Sequence, residues 1–144
     1  MTDRPDSGPT VSTGFWLHHA ALAWRARLSE ALKPLGLTHT QFLLLASVGW
    51  LAHVGPAPTQ QEVAAEAGTD RMMTSKVIST LEQRALLTRE RDHTDARMLR
   101  LQLTTEGRDL VRQATQLARD IDRAVFGDDS GALRATLRQV ADHG

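Results

Sequence analysis

Apolar residues recur at alternating steps of four and three along residues 15–33, where Leu17, Ala21, Trp24, Leu28 and Ala31 share one face. That period predicts an amphipathic helix, which Pro34 ends. Trp16, Ala20 and Ala23 widen its apolar surface beyond one stripe, so the helix is expected to meet two neighbours, a partner subunit being one candidate. Thr38-His39-Thr40-Gln41 has the pattern of a capping box, in which threonine and glutamine each satisfy a free backbone N–H, and a second helix follows to about His53. Gly55-Pro56-Ala57-Pro58 cannot continue it. Thr59-Gln60-Gln61-Glu62 repeats the capping pattern before Val63, Ala64 and Ala67, and Gly68 stops this short third helix. Asp70 then offers a carboxylate to the N–H groups of a fourth helix, and a short helix, tight turn and second helix make a helix-turn-helix. At 100° per residue Thr74, Val77, Ile78 and Leu81 face inward, leaving Met72, Ser75, Lys76, Ser79 and Gln83 on the outer side.

The period changes to two at Leu87, with Arg89 and Arg91 on the same side. Asp92-His93-Thr94-Asp95 reads as a turn, and Leu99, Leu101 and Leu103 alternate with Arg100 and Gln102 in a returning strand. Such a hairpin, with one face on helices, is the wing of a winged helix. Thr104-Thr105-Glu106 opens the longest helical pattern, a seam of Leu110, Ala114, Leu117, Ile121 and Ala124 that requires a facing helix. Gly127, Asp128 and Asp129 break it, and Leu133, Leu137 and Val140 line a closing helix. The fold expected is mainly α with a small two-stranded β wing. Residues 1–13 are expected to form a disordered tail before one domain, in which residues 38–103 are the winged helix-turn-helix lobe and residues 14–37 and 104–144 are dimerisation helices.

Composition narrows the function classes. The chain has 144 residues, 41% hydrophobic and 24% charged, the profile of one soluble domain. No apolar run approaches the ~20 residues of a transmembrane helix. Without cysteine there is no disulfide framework and no thiol-based sensor. Residues 1–9 carry Asp3, Arg4 and Asp6 with no apolar stretch, unlike a secretory signal, so a cytoplasmic chain is expected. Net charge is zero, which argues against a general basic adhesive for nucleic acid. The distribution is uneven: residues 69–100 carry Arg71, Lys76, Arg84, Arg89, Arg91, Arg97 and Arg100 against Asp70, Glu82, Glu90, Asp92 and Asp95. Any nucleic-acid face is therefore expected to be local and central.

The order of elements, with Asp70-Arg71-Met72-Met73-Thr74-Ser75-Lys76-Val77, Leu81-Glu82, Asp95-Ala96-Arg97, Leu103-Thr104 and Glu106-Gly107, resembles the MarR family of bacterial transcription regulators. One departure is Ala85, where the family commonly has glycine, so a less left-handed turn is expected there. The resemblance implies a homodimer on palindromic double-stranded DNA, usually a repressor relieved by a small ligand, with no cofactor. It also implies that Asp95 holds Arg97 in place. The residue chemistry agrees. A helix laid in the major groove needs short outward side chains and a few donors, which Arg71, Ser75, Lys76 and Ser79 supply, and Met72 suits a thymine methyl. Arg97 could enter a narrowed minor groove, and Arg89 completes the DNA-facing set. Outside this motif Arg71 and Lys76 would be ordinary solvated charges and methionine ordinary core. Dimerisation is assigned to Trp16, Leu17, Leu110, Leu117, Ile121, Leu133 and Leu137, because so short a chain cannot cover both terminal helix sets itself. The same seam read as intramolecular core is the alternative. A pocket for a flat aromatic or anionic ligand is expected at Trp16, His19, Trp50 and His53, whose rings join an apolar body to a polar tip, although ordinary packing also accounts for tryptophans there.

Two rival functions remain. A winged helix can serve protein–protein contact, since the fold does not entail DNA binding. A metal-responsive regulator could use His19, His53 and a carboxylate, whereas His18-His19 point ~100° apart and do not converge on one ion. No glycine-rich phosphate loop, nucleophile elbow or spaced carboxylate pair points to an enzyme.

Overall fold

The structure, a computed structural model, describes residues 7–144. Six helices and one hairpin follow in the order α1 (Thr13–Leu32), α2 (His39–Val54), α3 (Gln60–Ala67), α4 (Arg71–Gln83), β1 (Leu87–Arg91), β2 (Leu99–Leu103), α5 (Thr105–Phe126) and α6 (Gly131–Asp142). The expected tail is corrected in part. Residues 1–6 lie outside the described residues, but Gly8–Val11 form a 3-10 turn and α1 starts at Thr13, where the Ser12 hydroxyl accepts from the Phe15 amide. A proline in the first turn and a serine cap supply this local order, which apolar periodicity does not register.

Side-chain caps set the starts of α2 to α5, whereas Ser130 makes no such bond at α6. Thr38 and Gln41 close a complete reciprocal box. At Thr59 only half of it forms: the hydroxyl accepts from the Glu62 amide and donates to the Glu62 carboxylate. The chain ahead of α3 is paired instead with β2, where Leu101 N–H donates to the Pro58 carbonyl at 2.8 Å and Thr59 bridges Arg100. β1 and β2 are antiparallel with Leu87 opposite Leu103 and Arg91 opposite Leu99, which keeps Leu87, Leu101 and Leu103 on one face as the alternation requires.

The core is almost wholly aliphatic. Leu28 and Leu32 of α1, Leu44, Leu45 and Val48 of α2, Val63, Ile78 and Leu81 of the helix-turn-helix, Leu87 and Leu101 of the wing and Ala114 of α5 are buried together. Trp24 Nε1 donates to Asp122 Oδ1 at 2.8 Å, tying α1 to α5. Beside it, burial and then the Arg25 charge hold the His39 imidazole below its usual pKa. The turn after α4 corrects one expectation: Ala85 is left-handed at φ 59°, the only described non-glycine residue with positive φ. The turn geometry is kept although the glycine that suits it is absent. α6 has no buried residue, and among the described residues no single helix is long and apolar enough to cross a membrane.

Candidate nucleic-acid interface

Position on α4 follows from its buried face. Thr74, Ile78 and Leu81 point into the core, and the turn before them is locked by hydroxyls. The Thr74 hydroxyl donates to the Asp70 carbonyl at 2.6 Å, so the 2.7 Å contact between Thr69 and Thr74 must take its proton from Thr69. Asp70 Oδ1 accepts from the Met73 amide and caps the helix. The opposite face then carries Arg71, Met72, Ser75 and Lys76 into solvent, Met72 being 85% exposed.

Two members of the expected DNA-facing set are bonded to each other. Ser79 is half-buried and its hydroxyl accepts from Arg89 at 2.9 Å, while Arg89 Nε stands 3.5 Å from Glu82 as an ion pair without hydrogen-bond geometry. The Arg89 side chain is only 22% exposed. β1 runs back alongside α4, so Arg89 braces the wing against that helix instead of projecting as a free cation.

The wing tip is organised by Asp92, which the sequence places in the turn but not among the site residues. Asp92 Oδ2 accepts from the Thr94 hydroxyl (2.6 Å), the Asp95 amide (3.0 Å) and the Thr94 amide (3.1 Å), and Oδ1 accepts from Arg100 Nε at 2.8 Å. The Thr94 hydroxyl first, then Arg100 and the Asp95 amide, hold its carboxyl well below the usual carboxylate range. Arg100 also donates to the Ala57 carbonyl at 2.7 Å, so the turn end of the wing is bolted to the α2–α3 loop. An aspartate two residues before threonine at a turn was the available signal. Asp95 Oδ1 accepts from both the amide (3.1 Å) and Nε (3.3 Å) of Arg97, whose side chain is 93% exposed. One groove, lined by Gln60, Gln61, Arg71, Met72 and Ser75, and a second, lined by Gln60, Gln61, Arg89, Arg97 and Met98, border the first turn of α3 from its two sides. The exposed face of α4 and the wing tip therefore flank one surface.

The model describing the MarR family matches residues 37–99. The HTH-type transcriptional regulator YdcH of Bacillus subtilis strain 168 is 37% identical over 120 residues, which span 83% of this chain and 82% of YdcH. The chain belongs to the MarR family. Among solved structures, the transcriptional repressor CouR bound to a 23-mer DNA duplex is similar with a TM-score of 0.82 and 26% identity, covering 97% of this chain and 99% of CouR. BpsR of Bordetella bronchiseptica, described with the regulation of its DNA binding by 6-hydroxynicotinic acid, is similar with a TM-score of 0.73 and 25% identity, covering 90% and 96%.

This MarR-family transcriptional regulator also has an open cavity of about 770 Å³ between α2, the end of β2 and α5. Trp50 and His53 line it with Gln102, Arg108 and Arg112. Trp16 and His19 do not: Trp16 Nε1 donates to the Thr10 carbonyl at 2.8 Å, and His19 packs on Phe15 with ring centroids 4.4 Å apart. The expected quartet is thus split within one chain, because α1 commits Leu28 and Leu32 near its end to the core and carries its first turns away from it. Arg108 and Arg112 were missed, as arginines on an outer helix face give no signal by spacing alone. Among the described residues no group of three His, Cys, Asp or Glu could hold a metal ion.

The expected dimer contacts divide similarly. Trp16, Leu17, Leu133 and Leu137 are exposed, and Leu22, Val125, Phe126 and Val140 extend the apolar surface. Leu117 and Ile121 are half-buried. Leu110 packs on the chain's own core beside the fully buried Ala114, so this end of the α5 seam is intramolecular.

Proposed function

We propose that two copies of this regulator join through their terminal helices and read an inverted repeat as a repressor, with half-sites about one helical turn (~10 bp) apart. The observation carrying this reading is the pairing of an outward Met72, Ser75 and Lys76 with an Arg97 that projects from the wing tip while Asp95 orients it. Arg71 borders the same groove as Met72. Lys76→Ala is expected to lower affinity for all sequences alike and to reduce the slope of log affinity against log salt by ~1, the result of losing one phosphate contact. Affinity and slope unchanged in an anisotropy titration would remove Lys76 from the interface. A winged helix serving protein contact alone would show no steep salt dependence on any duplex.

The effector site of this reading is the α2–α5 cavity. Trp50 offers a flat apolar face, and Arg108, Arg112 and His53 bring positive or hydrogen-bonding groups to its rim, a combination suited to an aromatic anion. BpsR, regulated by 6-hydroxynicotinic acid, supports that ligand class. A ligand acts here only by favouring the spacing of the recognition helices that does not fit DNA, so the coupling is reciprocal. Salicylate is expected to quench or shift tryptophan fluorescence, and Arg112→Ala to weaken its binding about tenfold. If neither salicylate nor a wider phenolic-acid panel alters fluorescence or releases DNA, this cavity is not an aromatic-anion site.

A further inference from the structure

Four methionines occur in a chain with no cysteine. Methionine ranks among the residue types most often buried, yet Met72, Met73 and Met98, the three among the described residues, are all exposed, and the core contains none. Their placement is not scattered. Met72 and Met73 occupy the first turn of α4, and Met98 lies at the wing tip beside Arg97. The grooves holding Met72 and Met98 share Gln60 and Gln61, so these two thioethers stand on or beside the proposed DNA-facing surface, and Met73 adjoins Met72 in the same helical turn.

We propose that Met72 is an oxidation site through which peroxide or hypochlorous acid releases this regulator from DNA. The inference rests on the DNA-binding reading above. The Met72 sulfur attacks one oxygen of hydrogen peroxide, or takes chlorine from hypochlorous acid to give a chlorosulfonium ion that water hydrolyses. With peroxide an S–O bond forms as the O–O bond breaks, and water leaves. With hypochlorous acid the O–Cl bond breaks and hydroxide leaves, then water forms the S–O bond as chloride and two protons leave, one of them neutralising the hydroxide. Sulfur loses two electrons and the oxidant gains them. The product sulfoxide is polar, strongly hydrated and hydrogen-bond accepting. An apolar contact with a thymine methyl is lost, and an oxygen acceptor is brought against acceptor-lined base edges and phosphates that offer it few donors. Exposure of 85% makes the sulfur accessible and also means that the folded chain loses no packing when it is oxidised. Methionine sulfoxide reductases reverse the change, so the site behaves as a switch in a chain that lacks thiols.

The test uses the full chain and a duplex selected on the unoxidised protein from a randomised pool. Hydrogen peroxide and dilute hypochlorite are applied in separate arms. Tryptic cuts after Arg71 and Lys76 place Met72 and Met73 in one peptide, where fragment masses assign the added oxygen, and cuts after Arg97 and Arg100 isolate Met98. Each protein is scored by the ratio of its affinities before and after treatment, so altered starting affinity in a variant does not enter. Oxidised wild type is expected to bind at least tenfold more weakly with an unchanged thermal melt, and reductase treatment to restore binding. Met72→Leu should lose less than threefold under the same treatment. Equal losses in wild type and Met72→Leu, or full binding with Met72 completely oxidised, overturn the proposal. If the unoxidised chain selects no duplex even at low salt, the DNA-binding reading fails and this inference falls with it.

Discussion

Gly107→Ala is expected to destabilise the protein by about 3 kcal/mol or more, visible as a fall of roughly 10 °C in the thermal midpoint by circular dichroism. A Cβ at this position would overlap the Leu86 carbonyl oxygen and stand 3.0 Å from its carbon, and both are backbone atoms that cannot swing aside. The approach is close because Thr104 binds the two segments together. Its hydroxyl accepts from the Gly107 amide at 3.0 Å and donates to the Ala85 carbonyl at 2.7 Å, and its own amide donates to the Leu86 carbonyl at 3.1 Å. The start of α5 therefore rests directly on the turn that leaves the recognition helix. Separating them would displace the joint between the DNA-binding lobe and the terminal helices, so DNA affinity should fall as well. The neighbouring Ala85→Gly change should act in the opposite direction. It relieves a left-handed alanine, worth ~1–2 kcal/mol, against a larger entropy loss for glycine, leaving a gain of roughly 0.5 kcal/mol. A Gly107→Ala protein that melts with wild type would show that the contact is readily relaxed.

Leu137→Asp on α6 is expected to dissociate the dimer and to lower operator affinity about 100-fold, because each half-site must then be held without a linked second contact. A carboxylate forced into an apolar contact costs several kcal/mol, and separation of the subunits relieves it. Leu137 is a cleaner place for this test than Leu117. Leu117 is already half-buried within one chain, so a charge there would tax folding and association together, whereas α6 has no buried residue and its Leu137 lines only an open groove with Trp24 and Phe126. Light scattering reads the outcome directly. A folded Leu137→Asp protein that remains dimeric would place the interface elsewhere on the exposed apolar surface.

The order of helices and the wing were legible in the sequence because each depends on neighbours a few residues away. Thr38, Thr59, Asp70 and Thr104 mark helix starts through hydrogen bonds spanning three residues, and the alternation of Leu99, Leu101 and Leu103 reports which strand face is covered. The same short-range signals place Met72, Ser75 and Lys76 outward, since 100° per residue separates them from Thr74, Ile78 and Leu81. Which neighbour covers a face is a different matter, set by how elements cross. Ser79 belongs by angle to the margin of the outer face, and only the return of β1 delivers Arg89 to its hydroxyl. Trp16 and Trp50 share a chemistry but not a cavity, because the direction of α1 over the core carries its first turns away from the pocket that α2 and α5 enclose. The periodic seam on α5 states only that a helix must face it. Tertiary packing decides that the chain's own core takes Leu110 and Ala114, while α6 is left without a buried residue.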